Sequence, residues 1–196
     1  KPRCWPFYDA ARAYLSTEAA ARGDADKILN EASAIIEKYE IEGAEHAQPI
    51  AGAIGLLTTL NEIGAKVAIV TSNSSRTAGR WLQRMDLARC VNSIVGRDTL
   101  LPLKPAPDMI KRALEICGAQ PAHSAFVGDS VADFQAASVL NLCFYGSASS
   151  PEARGRLITA GAATVFSSPA ALAIELNLSP HPSEEIKQHH RRAHRE

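Results

Sequence analysis

From residue 66 onward, short apolar runs alternate with amphipathic segments, and this alternation constrains the fold more than any other feature of the chain. Residues 66–70, 91–95, 125–127, 142–145 and 163–166 read as strands. Residues 75–85, 107–117, 131–140, 152–160 and 169–176 carry helical spacing between and after them. Strands separated by helices pair in parallel, and a parallel sheet needs cover on both faces. The predicted fold class is therefore α/β, with a doubly wound parallel sheet. In such sheets ligands collect beyond the carboxyl ends of the strands. The residues that follow each strand are the first candidates for chemistry.

The first third differs. Residues 5–20 present Phe7, Ala10, Ala11, Tyr14 and Leu15 on one helical face; Arg22-Gly23-Asp24 then interrupts. Ile28, Leu29, Ala32, Ile35, Ile36 and Tyr39 form the apolar face of a second helix. Residues 40–48 are polar and read as a hinge, before a helix from Pro49 that Gly64 terminates. This divides the chain into a helical segment at 1–47, an α/β core at 48–178 and a polar tail at 179–196. The tail loses its apolar period and ends in a His/Arg-rich stretch that reads as solvated.

Composition narrows the function. Of 196 residues, 21 are basic and 21 acidic, so no global field draws the chain to nucleic acid or to an acidic membrane. No apolar stretch is long enough to span a bilayer, and no signal-peptide pattern opens the chain. Cys4, Cys90, Cys117 and Cys143 lack metal-ligand spacing. Cys117 and Cys143 sit in apolar runs and read as buried thiols, which suits a reducing cytoplasm.

Three strand ends carry chemistry-bearing residues. Strand 125–127 runs into Gly128-Asp129-Ser130, and Asp133 follows one helical turn later. Two carboxylates converging there would make an oxygen site suited to Mg²⁺; the same spacing equally suits a helix cap. Strand 66–70 runs into Thr71, Ser72, Asn73 and Ser74, which offer donors to an anion or, alternatively, cap the next helix. Lys104-Pro105-Ala106-Pro107 places a lysine in a stiff loop at a helix entry, where it either reaches the strand ends or is solvated.

In this order and spacing, these residues resemble the haloacid dehalogenase-like hydrolase superfamily over about residues 49–166. The resemblance implies that Thr71 bonds a transferring phosphoryl group, with Ser72 and Asn73 beside it. It implies that Lys104 neutralises the nucleophilic carboxylate and the phosphate, and that Asp129 and Asp133 hold Mg²⁺ directly or through water. Because dehalogenases proper need no Mg²⁺, the carboxylate pair points to a small phosphorylated metabolite. The implied reaction is Mg²⁺-dependent hydrolysis of a phosphomonoester through an aspartyl-phosphate.

The family's first motif, an apolar strand ending Asp-x-Asp, has no counterpart here. Asp9 lies in an amphipathic helix, and Asp24 and Asp26 follow no apolar strand. The nucleophilic Asp is accordingly expected upstream of Lys1, and residues 1–47 resemble part of an α-helical cap inserted after that motif. Arg3, Arg12, Arg22, Lys27 and Lys38 are its candidates for substrate contact. The alternative is a noncatalytic scaffold or binding protein of the same fold.

Overall fold

The computed structural model describes residues 22–178. Its elements in chain order are α1 (Arg22–His46), α2 (Ala53–Glu62), β1 (Ala68–Val70), α3 (Ser75–Arg84), β2 (Ser93–Val95), α4 (Asp108–Cys117), β3 (Ala125–Gly128), α5 (Val131–Val139), β4 (Cys143–Ser147), α6 (Pro151–Thr159), β5 (Thr164–Phe166) and α7 (Pro169–Glu175). Among the described residues all strand pairings are parallel. β1 pairs with β2, Ala68 opposite Ser93 and Val70 opposite Val95. β3, β4 and β5 form a second ladder, with Ala125 opposite Cys143 and Tyr145 opposite Thr164. Among the described residues no ladder joins β1 to β3.

The α/β alternation is as the sequence pattern requires, and its local causes are visible. Ser74, Ser130, Ser150 and Ser168 each precede a helix and accept a hydrogen bond from the backbone N–H three residues on. That bond satisfies a donor the first turn would leave unpaired. Pro151 and Pro169 stand at the first helical positions, where no N–H is needed. Gly118 closes α4 at φ 61°, a left-handed conformation natural to glycine. α4 serves two core clusters. Met109 and Ala113 pack with Val95 and Leu103, while Ile110 packs with Ala136, Ala137 and Leu142.

α1 departs from the sequence reading. Arg22-Gly23-Asp24 is itself helical, within α1, and the hinge predicted at 40–48 is helical through His46. The last turn persists because its carbonyls have partners: Trp81 Nε1 donates to Ala47 O at 3.2 Å and Arg84 Nη2 to Ala44 O at 3.0 Å. The predicted apolar face is also rotated. Leu29 joins the cluster of Val95, Leu103 and Met109, and Ile36 packs against it. Ile35 and Tyr39, at 64% and 67% exposure, lie outside that face, which instead buries Ser33. A buried arginine opposite explains the rotation, as described below.

Two further expectations are corrected. The helix predicted from Pro49 starts at Ala53, after Gly52 at φ 82°. A Cβ on Gly52 would stand 2.5 Å from the Ala170 Cβ, so glycine is needed there for both space and conformation. Among the described cysteines Cys90 is buried, Cys117 half-buried and Cys143 exposed. Among the described residues, no helix is long and apolar enough to cross a membrane. The helix predicted at 5–20 and the tail at 179–196 lie outside the described residues.

Candidate functional site

β3 ends at Gly128, and α5 begins with a capping box. Ser130 Oγ accepts from Asp133 N, and Asp133 Oδ2 accepts from Asp129 N (3.2 Å), Ser130 N (3.0 Å) and Ser130 Oγ (2.6 Å). This arrangement buries the Asp133 carboxylate and leaves Oδ1 for one partner. That partner is Lys104, whose Nζ lies 2.6 Å away. The same ammonium donates to Val70 O at the end of β1 at 3.2 Å and lies 5.7 Å from the centre of the Phe126 ring. Lys104 therefore bridges the carboxyl ends of the two strand ladders.

The two acids differ in electrostatics. Burial would push the Asp133 pKa up, but the Lys104 charge and the hydrogen bonds from Lys104 and Ser130 outweigh it and hold the carboxyl below its usual range. Asp129 reaches solvent, yet the protein around its carboxyl, and then the Asp133 charge, raise its pKa. Asp129 is thus an accessible carboxylate in a place with surplus negative charge.

Those properties fit a hard divalent cation with Asp129 as a direct ligand. Asp133, with Oδ2 in the capping box and Oδ1 on Lys104, would act from behind it. Among the described residues no group of three or more His, Cys, Asp or Glu side chains gathers, so the remaining ligands would be water, substrate oxygen or residues outside this set.

Gly128 makes the box possible. A Cβ there would come within 2.4 Å of Asp133 Cβ and 2.8 Å of its Cγ. Gly128→Ala is expected to destabilise the protein by about 1–3 kcal/mol through overpacking. Urea unfolding of variant and wild type measures this; equal midpoints would show that the box yields freely.

At the other strand end, Thr71 N donates to Val95 O at 3.0 Å, and Thr71 Oγ1 accepts from Asn73 N at 3.1 Å. The helix-cap reading of this run is realised by Ser74, whose Oγ accepts from Thr77 N at 3.0 Å. Carboxylates take the next backbone donors: Glu40 accepts from Ser74 N at 3.0 Å and Asp98 from Ser75 N at 2.8 Å. An anion would meet the Thr71 hydroxyl and the side chains of Ser72 and Asn73, not the amide N–H groups that open α3.

The structure thus joins Lys104 to Asp133 directly. It brings in Asp129 through the capping box, and Thr71 through Val70, which it follows. Arg3, Arg12 and the Arg22 side chain lie outside the described residues, and Lys27 and Lys38 are exposed on α1. Sequence reasoning passed over Glu37, Glu40, Arg97 and Asp98, which surround the 71–74 loop. The one signal was positional: Arg97 and Asp98 follow the carboxyl end of β2, where ligand-end residues are expected.

Lys104, Asp129, Asp133 and Thr71 thus gather at the carboxyl ends of parallel strands, the end of an α/β sheet where ligands generally collect. The family model for haloacid dehalogenase-like hydrolases matches residues 13–146, well over half the chain, and the protein belongs to that family. A phosphoglycolate phosphatase of Pseudomonas putida is 31% identical over 112 residues, covering 57% of this chain and 41% of that protein. One from Aquifex aeolicus is 30% identical over 112 residues, covering 57% and 53%. The chain thus spans about half the length of these curated relatives. The fold is similar to a putative beta-phosphoglucomutase of Thermotoga maritima (TM-score 0.63, 22% identity, 90% of this chain and 94% of that one). It is also similar to a hydrolase from Pseudomonas syringae (TM-score 0.64, 24% identity, 90% and 83%).

Proposed function

We propose that the protein hydrolyses a small phosphomonoester in a Mg²⁺-dependent reaction through an aspartyl-phosphate. The observation that carries this reading is the position of Lys104, poised between Val70 O and the Asp133 carboxylate across the space separating β1 from β3. A strand paired with both β1 and β3 would end beside that ammonium. The nucleophilic Asp belongs at the end of such a strand, expected upstream of Lys1, with residues 1–47 forming part of a cap.

Phosphoryl transfer demands charge neutralisation and in-line positioning more than elaborate covalent chemistry. Lys104 would offset charge on the nucleophile and on the phosphoryl oxygens, and Asp133 holds that ammonium in place. The Thr71 hydroxyl would donate to a phosphoryl oxygen, with Ser72 and Asn73 completing the cradle. Asp129, backed by Asp133, would hold Mg²⁺. When bound, the ion supplies Lewis-acid neutralisation of the phosphoryl oxygens. Phosphoglycolate, the substrate named for the relatives above, is the first ester to test.

The intermediate is testable directly. Rapid acid quench of the full-length protein during turnover should yield a hydroxylamine-labile phosphate, mapped by peptide mass to an Asp preceding the cap. Phosphate recovered on a serine, threonine or histidine of an active protein would contradict this mechanism.

A further inference from the structure

The Arg97 guanidinium is fully buried, and what it holds is the backbone of the proposed anion-binding loop. Nη1 donates to Ser72 O at 2.8 Å and to Glu40 Oε1 at 2.6 Å; Nε and Nη2 donate to Ser33 Oγ and Ser33 O, both at 3.2 Å. The Arg97 N–H also donates to Asn73 O at 2.9 Å. Glu40 completes the circuit, its Oε2 accepting from Ser74 N at 3.0 Å, while Glu37 Oε1 accepts from Ser74 Oγ at 2.8 Å. Each residue from 72 to 74 is therefore gripped through its backbone by Arg97 or by a carboxylate from α1.

A buried ion pair is a poor way to gain stability, since apolar side chains of similar volume do as well or better. Its planar fork is a good way to fix geometry. We infer that Arg97 and Glu40 are positioning residues for the loop 71–74, through which the seating of α1 sets the phosphoryl cradle. The carboxylates also occupy the Ser74 and Ser75 N–H groups, which directs an anion toward Thr71 and Lys104. The pair touches no reacting atom and acts through Ser72, Asn73 and Ser74. This inference rests on the phosphoryl reading of the site.

The test is titration of inorganic phosphate into the full-length protein with Mg²⁺ present, for wild type, Glu40→Gln and Arg97→Lys, with Mg²⁺ affinity measured separately. Loosening the cradle should weaken phosphate binding about tenfold or more, leave Mg²⁺ affinity unchanged and speed amide exchange at 72–75. Glu37→Ala removes the acceptor for Ser74 Oγ while keeping the Arg97–Glu40 ion pair, and should give a smaller loss in the same direction even where Arg97→Lys fails to fold. Variants that melt at lower temperature yet bind phosphate as tightly as wild type would reduce the pair to a structural role and overturn the inference. Absence of phosphate binding by wild type would instead overturn the phosphoryl reading, and this inference with it.

Discussion

Lys104→Met is expected to slow turnover by orders of magnitude and to unfold more readily than the wild type. The substitution keeps the length of the side chain and removes its charge. Asp133 Oδ1, 2.6 Å from the ammonium in the wild type, would then be a buried anion without a counter-charge. Breaking one side of such a pair costs about 3 kcal/mol or more. The pH dependence follows from the same contact. Because the folded pKa of Asp133 is lowered, its contribution to stability is present above the ordinary carboxylate pKa. It is lost as pH falls through the lowered folded value. Without Lys104, burial counts for more and the folded pKa rises, so the variant's deficit in stability should be largest near neutral pH and should narrow as pH falls and Asp133 takes up a proton. Loss of the charge that faces the phosphoryl group should lower kcat by about 10²–10³-fold or more. Urea unfolding across the acid range, with steady-state rates at neutral pH, checks both halves. A variant with wild-type stability and rate would remove Lys104 from the centre of the site.

Asp129→Asn is expected to separate function from stability. The folded pKa of Asp129 is raised, so its favourable contribution is present below the ordinary carboxylate pKa and lost as pH rises through the raised value. At neutral pH the ionised carboxylate is therefore a liability in the absence of a cation. Asparagine keeps the shape and removes the charge. Without metal, the variant should be at least as stable as wild type. Binding to the folded state alone stabilises it by mass action, so Mg²⁺ should raise the melting temperature of wild type and not of the variant. Activity should fall by about 10³-fold, the scale of several kcal/mol of transition-state charge stabilisation. An equal Mg²⁺-induced shift in wild type and variant would show that the ion sits elsewhere.

The α/β alternation was legible because each strand is a short apolar run and each helix after α2 carries its own start or stop signal. Ser130 followed by Asp133 could be read either as a cap or as a metal site. The structure explains why sequence could not separate the two: one Asp133 oxygen closes the capping box while the other holds Lys104. Asp129 stands free of that box except through its backbone. α1 was misread because apolar periodicity takes buried positions to be apolar. Its inner face carries Ser33 and Glu40, whose burial makes sense only beside Arg97, 57 residues beyond Glu40 in the chain. Long-range polar pairs of this kind leave no local pattern. The exposed Cys143, the first residue of β4, shows the same limit from the other side: an apolar neighbourhood in sequence does not guarantee burial.

The central claim is that Lys104 and Asp129 serve Mg²⁺-dependent hydrolysis of a phosphomonoester. The most direct measurement is the initial rate of phosphate release by the full-length protein, from phosphoglycolate and other small phosphomonoesters, with Mg²⁺ and with excess chelator. The expected result is release that requires Mg²⁺ and falls by about a hundredfold or more in both Lys104→Met and Asp129→Asn. Release that survives chelation and both substitutions, or no release from any ester by a folded wild-type protein, would contradict the account.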